Sequence, residues 1–192
     1  MHKPQRLRPG GLIGVLAPAG TVDPRAIQAG VDAIRACGFE VELSSNLFAS
    51  DGYLAGKARA RAQDLLEFFH RPDIDAIFCA RGGFGSVQLL PYLSTELSNH
   101  AKIFVGYSDI TTLLNWLCQS CQMVTFHAPM VATDIARGLS DRDKAHLWHL
   151  LDGTMGDWQL ALGETIRPGR VEAEMIGGCL SILVTSLGTQ HE

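Results

Sequence analysis

The sequence predicts an α/β fold built on a doubly wound, mostly parallel sheet, and three observations carry that prediction. Up to Met130, short apolar or β-branched runs alternate with segments whose apolar residues recur at helical spacing. The runs 12–17 and 76–80 are almost wholly apolar, as strands covered on both faces are. Finally, residues 17–20, residues 81–85, Ser108 and His127 all fall where such a run ends, and open parallel sheets bind ligands outside the carboxyl ends of their strands.

Taken in order, Leu12-Ile-Gly-Val-Leu-Ala17 reads as the first strand, stopped by Pro18-Ala-Gly20. Asp23-Pro24 opens a helix with proline at its first position, and Ile27, Val31 and Ile34 form its buried stripe up to the stop at Gly38. Phe39-Glu-Val-Glu-Leu43 alternates as a strand does. A loop through Asp51-Gly52 leads to a helix over 57–70, with Ala58, Ala62, Leu65, Leu66 and Phe69 inward; Lys57, Arg59 and Arg61 are expected on its wet face. Residues 76–80 form a buried strand that delivers Arg81-Gly-Gly-Phe-Gly85, and Val87, Leu89, Leu90 and Leu93 then suggest a brief helical segment. Glycines 82, 83 and 85 free the backbone to approach a ligand, or form a plain tight turn; the spacing is not that of a nucleotide-binding loop.

The run 103–105 reaches Gly106, and from Asp109 the residues Ile110, Leu113, Leu114 and Leu117 recur at helical spacing. Ser108 therefore sits on a strand-to-helix turn, where it is either a helix cap or a nucleophile with the Asp109 N–H facing a developing oxyanion. The motif Gly106-Tyr-Ser-Asp-Ile110 has isoleucine where a nucleophile elbow has its last glycine. Met123-Val-Thr-Phe-His127 is predicted to be the next strand, with His127 at its end as a loop-holding ring or a general base. A helix follows over 141–151, its His146 and His149 on the surface.

Beyond Asp152 the composition shifts. The expected organisation is an α/β domain over 1–152, a linker over 153–176 broken by glycine and proline, and over 177–192 the first helix of a further domain. That last helix, with Leu180, Ile182, Leu183, Val184 and Leu187, is apolar nearly all round, as a fully buried helix would be.

Composition narrows the function. The 192 residues are 46% hydrophobic with a net charge of −4 and no long block of one sign, which argues against nucleic acid as a partner. Lys3, Arg6 and Arg8 read as a solvated tail. No apolar run is long enough to span a membrane and no secretory leader is evident, so a cytoplasmic protein without membrane association is expected. The five cysteines, including Cys118-Gln-Ser-Cys121 at a helix end, are expected to be small buried thiols rather than disulfides, redox groups or metal ligands.

Ala17-Pro-Ala-Gly20, Ala80-Arg-Gly-Gly-Phe-Gly85, Gly106-Tyr-Ser-Asp-Ile-Thr111, His127-Ala-Pro-Met130 and Ile176-Gly-Gly-Cys-Leu-Ser181 together resemble the LD-carboxypeptidase family of serine peptidases, which includes the microcin-immunity hydrolases. The resemblance implies a Rossmann-like N-terminal domain. It also implies a cytoplasmic peptidase of cell-wall recycling that removes the terminal D-alanine from murein tetrapeptides, without metal or other cofactor. The alternatives are hydrolysis of a microcin-type acyl conjugate and a non-catalytic muropeptide-binding module. By the resemblance Ser108 is the nucleophile, the N–H groups of Asp109 and Gly83 form the oxyanion hole, and Arg81, Gly82, Phe84, Gly85 and His127 contact substrate.

The chain departs from the family pattern at Cys179, where asparagine is usual, and at Ala128, where glycine is usual. The family's catalytic Glu and His follow the Gly-Gly-x-Leu helix, so a truncated chain without activity of its own is expected; His191 and Glu192 offer the residue types on an end expected to fray. The partner is then either the C-terminal domain or a second copy of the chain in a dimer.

Overall fold

The computed structural model describes residues 1–156 and 163–189. Five strands, β1 (Leu12–Leu16), β2 (Glu40–Leu43), β3 (Ala76–Cys79), β4 (Ile103–Gly106) and β5 (Phe126–His127), form one sheet in the order β2-β1-β3-β4-β5. Every neighbouring pair is parallel. The order reverses between β1 and β3, which makes the gap above their carboxyl ends the switch point where α/β sheets hold ligands.

The helices are α1 (Pro24–Ala36), α2 (Ala58–His70), α3 (Thr111–Cys121), α4 (Asp141–Leu151) and α5 (Leu180–Ser186). Asp23 caps α1 by accepting from the Arg25 N–H, and proline fills its first position. One face of the sheet is sealed by Phe68, Phe69 and Leu65 of α2 with Leu113, Leu114 and Leu117 of α3 around Phe104 and Ile77. The other is sealed by Ile27, Val31 and Ile34 of α1 and Leu147 and Leu151 of α4 around Phe78 and Val105. The predicted fold class is therefore the observed one.

Three expectations are corrected. The N-terminal residues are not a solvated tail: Leu7 is buried with its N–H on the Leu151 carbonyl, Arg8 grips the Asp75 carboxylate, and His2 bridges Met123. The strand expected over 123–127 pairs with β4 only at Phe126 and His127, because the Met123 N–H donates to the Leu117 carbonyl and the Val124 N–H to the His2 carbonyl instead. Among α5 residues none is buried, although the apolar pattern predicts a fully buried helix; Leu180 is 74% exposed. The His191 and Glu192 pair lies outside the described residues.

Candidate active site

Ser108 follows β4 as the first residue of a short 3₁₀ turn, Ser108–Ile110, that runs into α3. Its φ is 60°, a left-handed conformation that side chains rarely adopt, and one of two such non-glycine residues described, with Gln122. The cap alternative fails here, since Tyr107 holds the cap position and no side chain caps the turn. The Ser108 hydroxyl makes no hydrogen bond to a described residue. Two features force the turn. Gly106 is required because a Cβ there would stand 2.7 Å from Ile110 Cγ2, so the isoleucine in the place of a last glycine packs back on the motif's first one. Asp109 is buried, and its carboxylate is fixed by the Ser86 N–H at 2.9 Å, while the Ser86 hydroxyl donates to the Asp109 carbonyl at 2.7 Å.

The glycine loop after β3 lies directly against this turn. A Cβ on Gly82 would meet Ser108 Cβ at 3.2 Å, the Asp109 nitrogen at 3.4 Å and Ser108 Oγ at 3.4 Å, so Gly82 is the loop residue in contact with the serine. Gly83, exposed, follows with φ 113°, a conformation that glycine alone adopts without strain. Phe84 is 57% exposed and Gly85 buried. Arg81, half-buried, donates from Nη1 to the Thr21 carbonyl at 2.8 Å.

Arg61 is the principal residue that sequence reasoning misplaced. Expected on the wet face of α2, it is 1% exposed, and its guanidinium donates to the backbone carbonyls of Gly56 at 3.1 Å, Gly85 at 2.9 Å and Pro18, and to Gln88 Oε1 at 2.7 Å. One side chain thus ties the loop after β1 to the glycine loop after β3. Burial pulls its pKa down from the usual arginine value, and the nearby Asp109 carboxylate counters that pull. An arginine one turn into a helix gives no hint of this role; only its reach to three backbone carbonyls does.

Tyr53 is the second residue missed. Its ring lies under the Arg81 guanidinium, 5.7 Å from centroid to Cζ, and its hydroxyl stands 2.3 Å from the position a Gly83 Cβ would take. It belongs to the loop between β2 and α2, which sequence periodicity leaves blank.

His127 ends β5 in register with Gly106, exposed, with its ring edge-on to Tyr107 at 6.0 Å between centroids. It is not hydrogen-bonded to Ser108. Tyr107 in turn donates to Asp134 Oδ1 at 3.2 Å; burial, first, and that carboxylate, second, push the tyrosine pKa up. Asp134 Oδ2 also accepts from the Met130 N–H and the Thr133 hydroxyl, which anchors the loop after β5 beside the serine turn.

On the far side of Asp109, a mostly apolar hollow of about 510 Å³ opens between Phe84, Val87, Thr112 and Asn115 and the α5 residues Ile182 and Leu183. Ser108 does not line it. The segment carrying α5 reaches the first turn of α3 through Thr111, whose hydroxyl accepts the Cys179 N–H at 3.0 Å. Among the described residues, no group of three or more His, Cys, Asp or Glu is placed to share a metal ion. All five cysteines are free; burial raises the Cys79 and Cys118 thiols and pushes Cys121 up to about 11.

The LD-carboxypeptidase N-terminal domain (Peptidase_S66) matches residues 13–128, which include the glycine loop, Ser108 and His127. A probable murein peptide carboxypeptidase of Bacillus subtilis (strain 168) is 38% identical over 197 residues, covering 100% of this chain and 61% of the relative. A murein tetrapeptide carboxypeptidase of Pseudomonas aeruginosa is 32% identical, covering 93% of this chain and 61% of the relative. The chain spans about three fifths of the length of these curated relatives. Among solved structures, the microcin C7 self-immunity protein MccF in its wild-type apo state matches 98% of this chain and 66% of its own with a TM-score of 0.86; at 23% identity this is a likeness of fold alone.

Proposed function

Because the chain belongs to the LD-carboxypeptidase family, we propose that it carries the nucleophile of a serine peptidase that hydrolyses the L,D peptide bond to the terminal D-alanine of murein tetrapeptides. The observation that carries this reading is the state of Ser108: a left-handed serine at a strand end, its hydroxyl uncommitted, against a glycine loop. Strain of that kind costs about 1–3 kcal/mol and persists where surrounding structure over-determines it. A module that only bound muropeptides would need no such serine.

In the proposed reaction Ser108 Oγ attacks the scissile carbonyl carbon and its proton passes to a base. The carbonyl oxygen becomes an oxyanion, received by the N–H groups of Asp109 and Gly83; one such donor is worth roughly 10²–10³ in turnover. The proton then goes to the departing amine, D-alanine leaves, and water hydrolyses the serine ester to restore the hydroxyl. Gly82 keeps the two loops in contact, Phe84 and Gly85 shape the approach, and His127 lies at the edge where the peptide enters. No described residue is hydrogen-bonded to Ser108 as its base. The curated relatives run well beyond the length matched here, and we place the base, a Glu and His pair by family resemblance, in that further part.

Murein is preferred over a microcin-type conjugate because two of the relatives aligned over 93% or more of the chain are named for murein peptides, whereas the microcin C7 self-immunity protein of Escherichia coli, 32% identical, aligns over 62% of it. Recycling of such peptides would place the protein in the cytoplasm, and no helix among the described residues is long and apolar enough to cross a membrane. The test is D-alanine release from an L,D-tetrapeptide by this chain joined to the remaining part of the Bacillus subtilis relative. Ser108→Ala is expected to cut turnover by roughly 10⁴–10⁶. A Ser108→Ala protein as fast as its parent contradicts the assignment.

A further inference from the structure

Arg81 is a cation at the rim of the site that forms no ion pair with an acidic side chain among the described residues. The ion pairs among the described residues join Arg8 to Asp75 and Arg71 to Glu42 and Asp73, and Arg81 belongs to none of them. Of the five N–H donors of a guanidinium, the single side-chain bond from Nη1 to the Thr21 carbonyl uses one. That bond fixes the plane of the fork, and the Tyr53 ring supports it from one side. Tyr53 is itself 52% exposed, and its hydroxyl, poised over Gly83, makes no hydrogen bond to a described residue. A guanidinium with unused N–H groups and a hydroxyl without a described acceptor therefore stand together beside the loop whose Gly82 touches Ser108.

A planar fork held in place with free N–H groups is matched by a planar oxyanion, which it binds through paired, charge-assisted hydrogen bonds. In a peptide cleaved at its last bond, the α-carboxylate lies one residue beyond the scissile carbonyl, a separation of at most about 3.6 Å per residue. Arg81 leads directly into Gly82, which touches Ser108, and the Tyr53 ring against its guanidinium carries a hydroxyl 2.3 Å from where a Gly83 Cβ would stand, so the fork is tied to the loop proposed to receive the carbonyl.

Resting on the carboxypeptidase reading above, we propose that Arg81 and Tyr53 form the receptor for the substrate's terminal carboxylate and so restrict the enzyme to the last residue of a peptide. Arg81 grips both carboxylate oxygens, and Tyr53 holds the fork from below while its hydroxyl donates a further hydrogen bond. A peptide that continues past the D-residue presents an amide here, which supplies neither the charge nor the second acceptor oxygen. These are specificity-determining residues, and chemistry at Ser108 proceeds without them at lower occupancy.

The experiment is calorimetric titration of the 192-residue chain with an L,D-tetrapeptide ending in a free carboxylate and with the same peptide as its C-terminal amide. The wild-type chain is expected to prefer the acid by roughly ten- to a hundredfold. Arg81→Gln should erase that preference by weakening the acid and leaving the amide unchanged, and Arg81→Lys should restore part of it. Tyr53→Phe, which keeps the exposed ring and removes only the hydroxyl, should weaken the acid by about two- to tenfold and the amide little. Equal affinity of the wild type for acid and amide, or equal weakening of both by Arg81→Gln, overturns the proposal and leaves the peptidase reading standing. Binding of neither peptide by the wild type overturns the murein reading, and this proposal with it.

Discussion

Around Ser108 the loops after β1, β3, β4 and β5 hold one another: Arg61 joins the first two, Ser86 and Asp109 join the second and third, and Tyr107 with Asp134 joins the last two. Around α5 the one side-chain hydrogen bond described back to the sheet domain is Thr111 to Cys179, and Leu180, Val184 and Leu187 face outward at 74%, 56% and 61% exposure. Both regions are rich in glycine and in residues of family-like pattern, yet one is specified from within and the other is not. The difference teaches where to look for function: strain at φ 60° survives at Ser108 because three separate networks pin its neighbours, whereas α5 offers apolar surface that awaits a cover.

The largest effect should come from the keystone of the first region. Arg61→Leu leaves the carbonyls of Pro18, Gly56 and Gly85 without their donor and should lower stability by about 3 kcal/mol or more, read from the midpoint of urea unfolding. A change near zero would mean that the loops hold without it. Next, Gly85→Ala puts a Cβ 2.6 Å from Leu54 Cδ2 at φ 118° and should cost about 1–3 kcal/mol by the same measurement. In the opposite direction, Ser108→Gly relieves the left-handed serine and should raise stability by about 1 kcal/mol; a loss of stability would show that the conformation is not strained.

The second region should respond differently. Leu180→Ser and Val184→Ser should each change stability by no more than about 0.5 kcal/mol, read from urea unfolding, since those side chains are exposed. The thiols sharpen the same contrast at the smallest scale. Hydrogen bonds from Ser181 and Ile182 lower the Cys179 thiol, while burial raises Cys79 and Cys121, so alkylation at pH 8 should mark Cys179 well before either of the other two. Equal rates would show that the sheet domain opens as readily as the α5 segment.

Much of the first region is legible in the sequence, because strands 12–16, 76–79 and 103–106 are buried on both faces and declare themselves as apolar runs. The turn at Ser108 is legible too, as a change from a β-branched run to helical period across one glycine. Arg61 is not, because charge on a helix reads as solvent-facing and only its distant carbonyl partners reveal otherwise. Tyr53 is not, because a loop residue has no periodicity to place it. The N-terminal arm and the shortened β5 escape for one shared reason: His2 and Met123 pair across 121 residues, a contact set by tertiary structure alone. For α5 the composition gives the helix correctly and its burial wrongly, since apolarity specifies a need for cover but not what supplies it.

The most direct test of the nucleophile is intact-mass and peptide mapping of the chain, joined to the remaining part of the Bacillus subtilis relative, after exposure to an activated ester of the murein tripeptide, in which a leaving group that needs no protonation replaces D-alanine. The account predicts one acyl group, carried by the peptide containing Ser108 and absent from Ser108→Ala. An acyl group on another residue, or equal labelling of the Ser108→Ala chain, would contradict it.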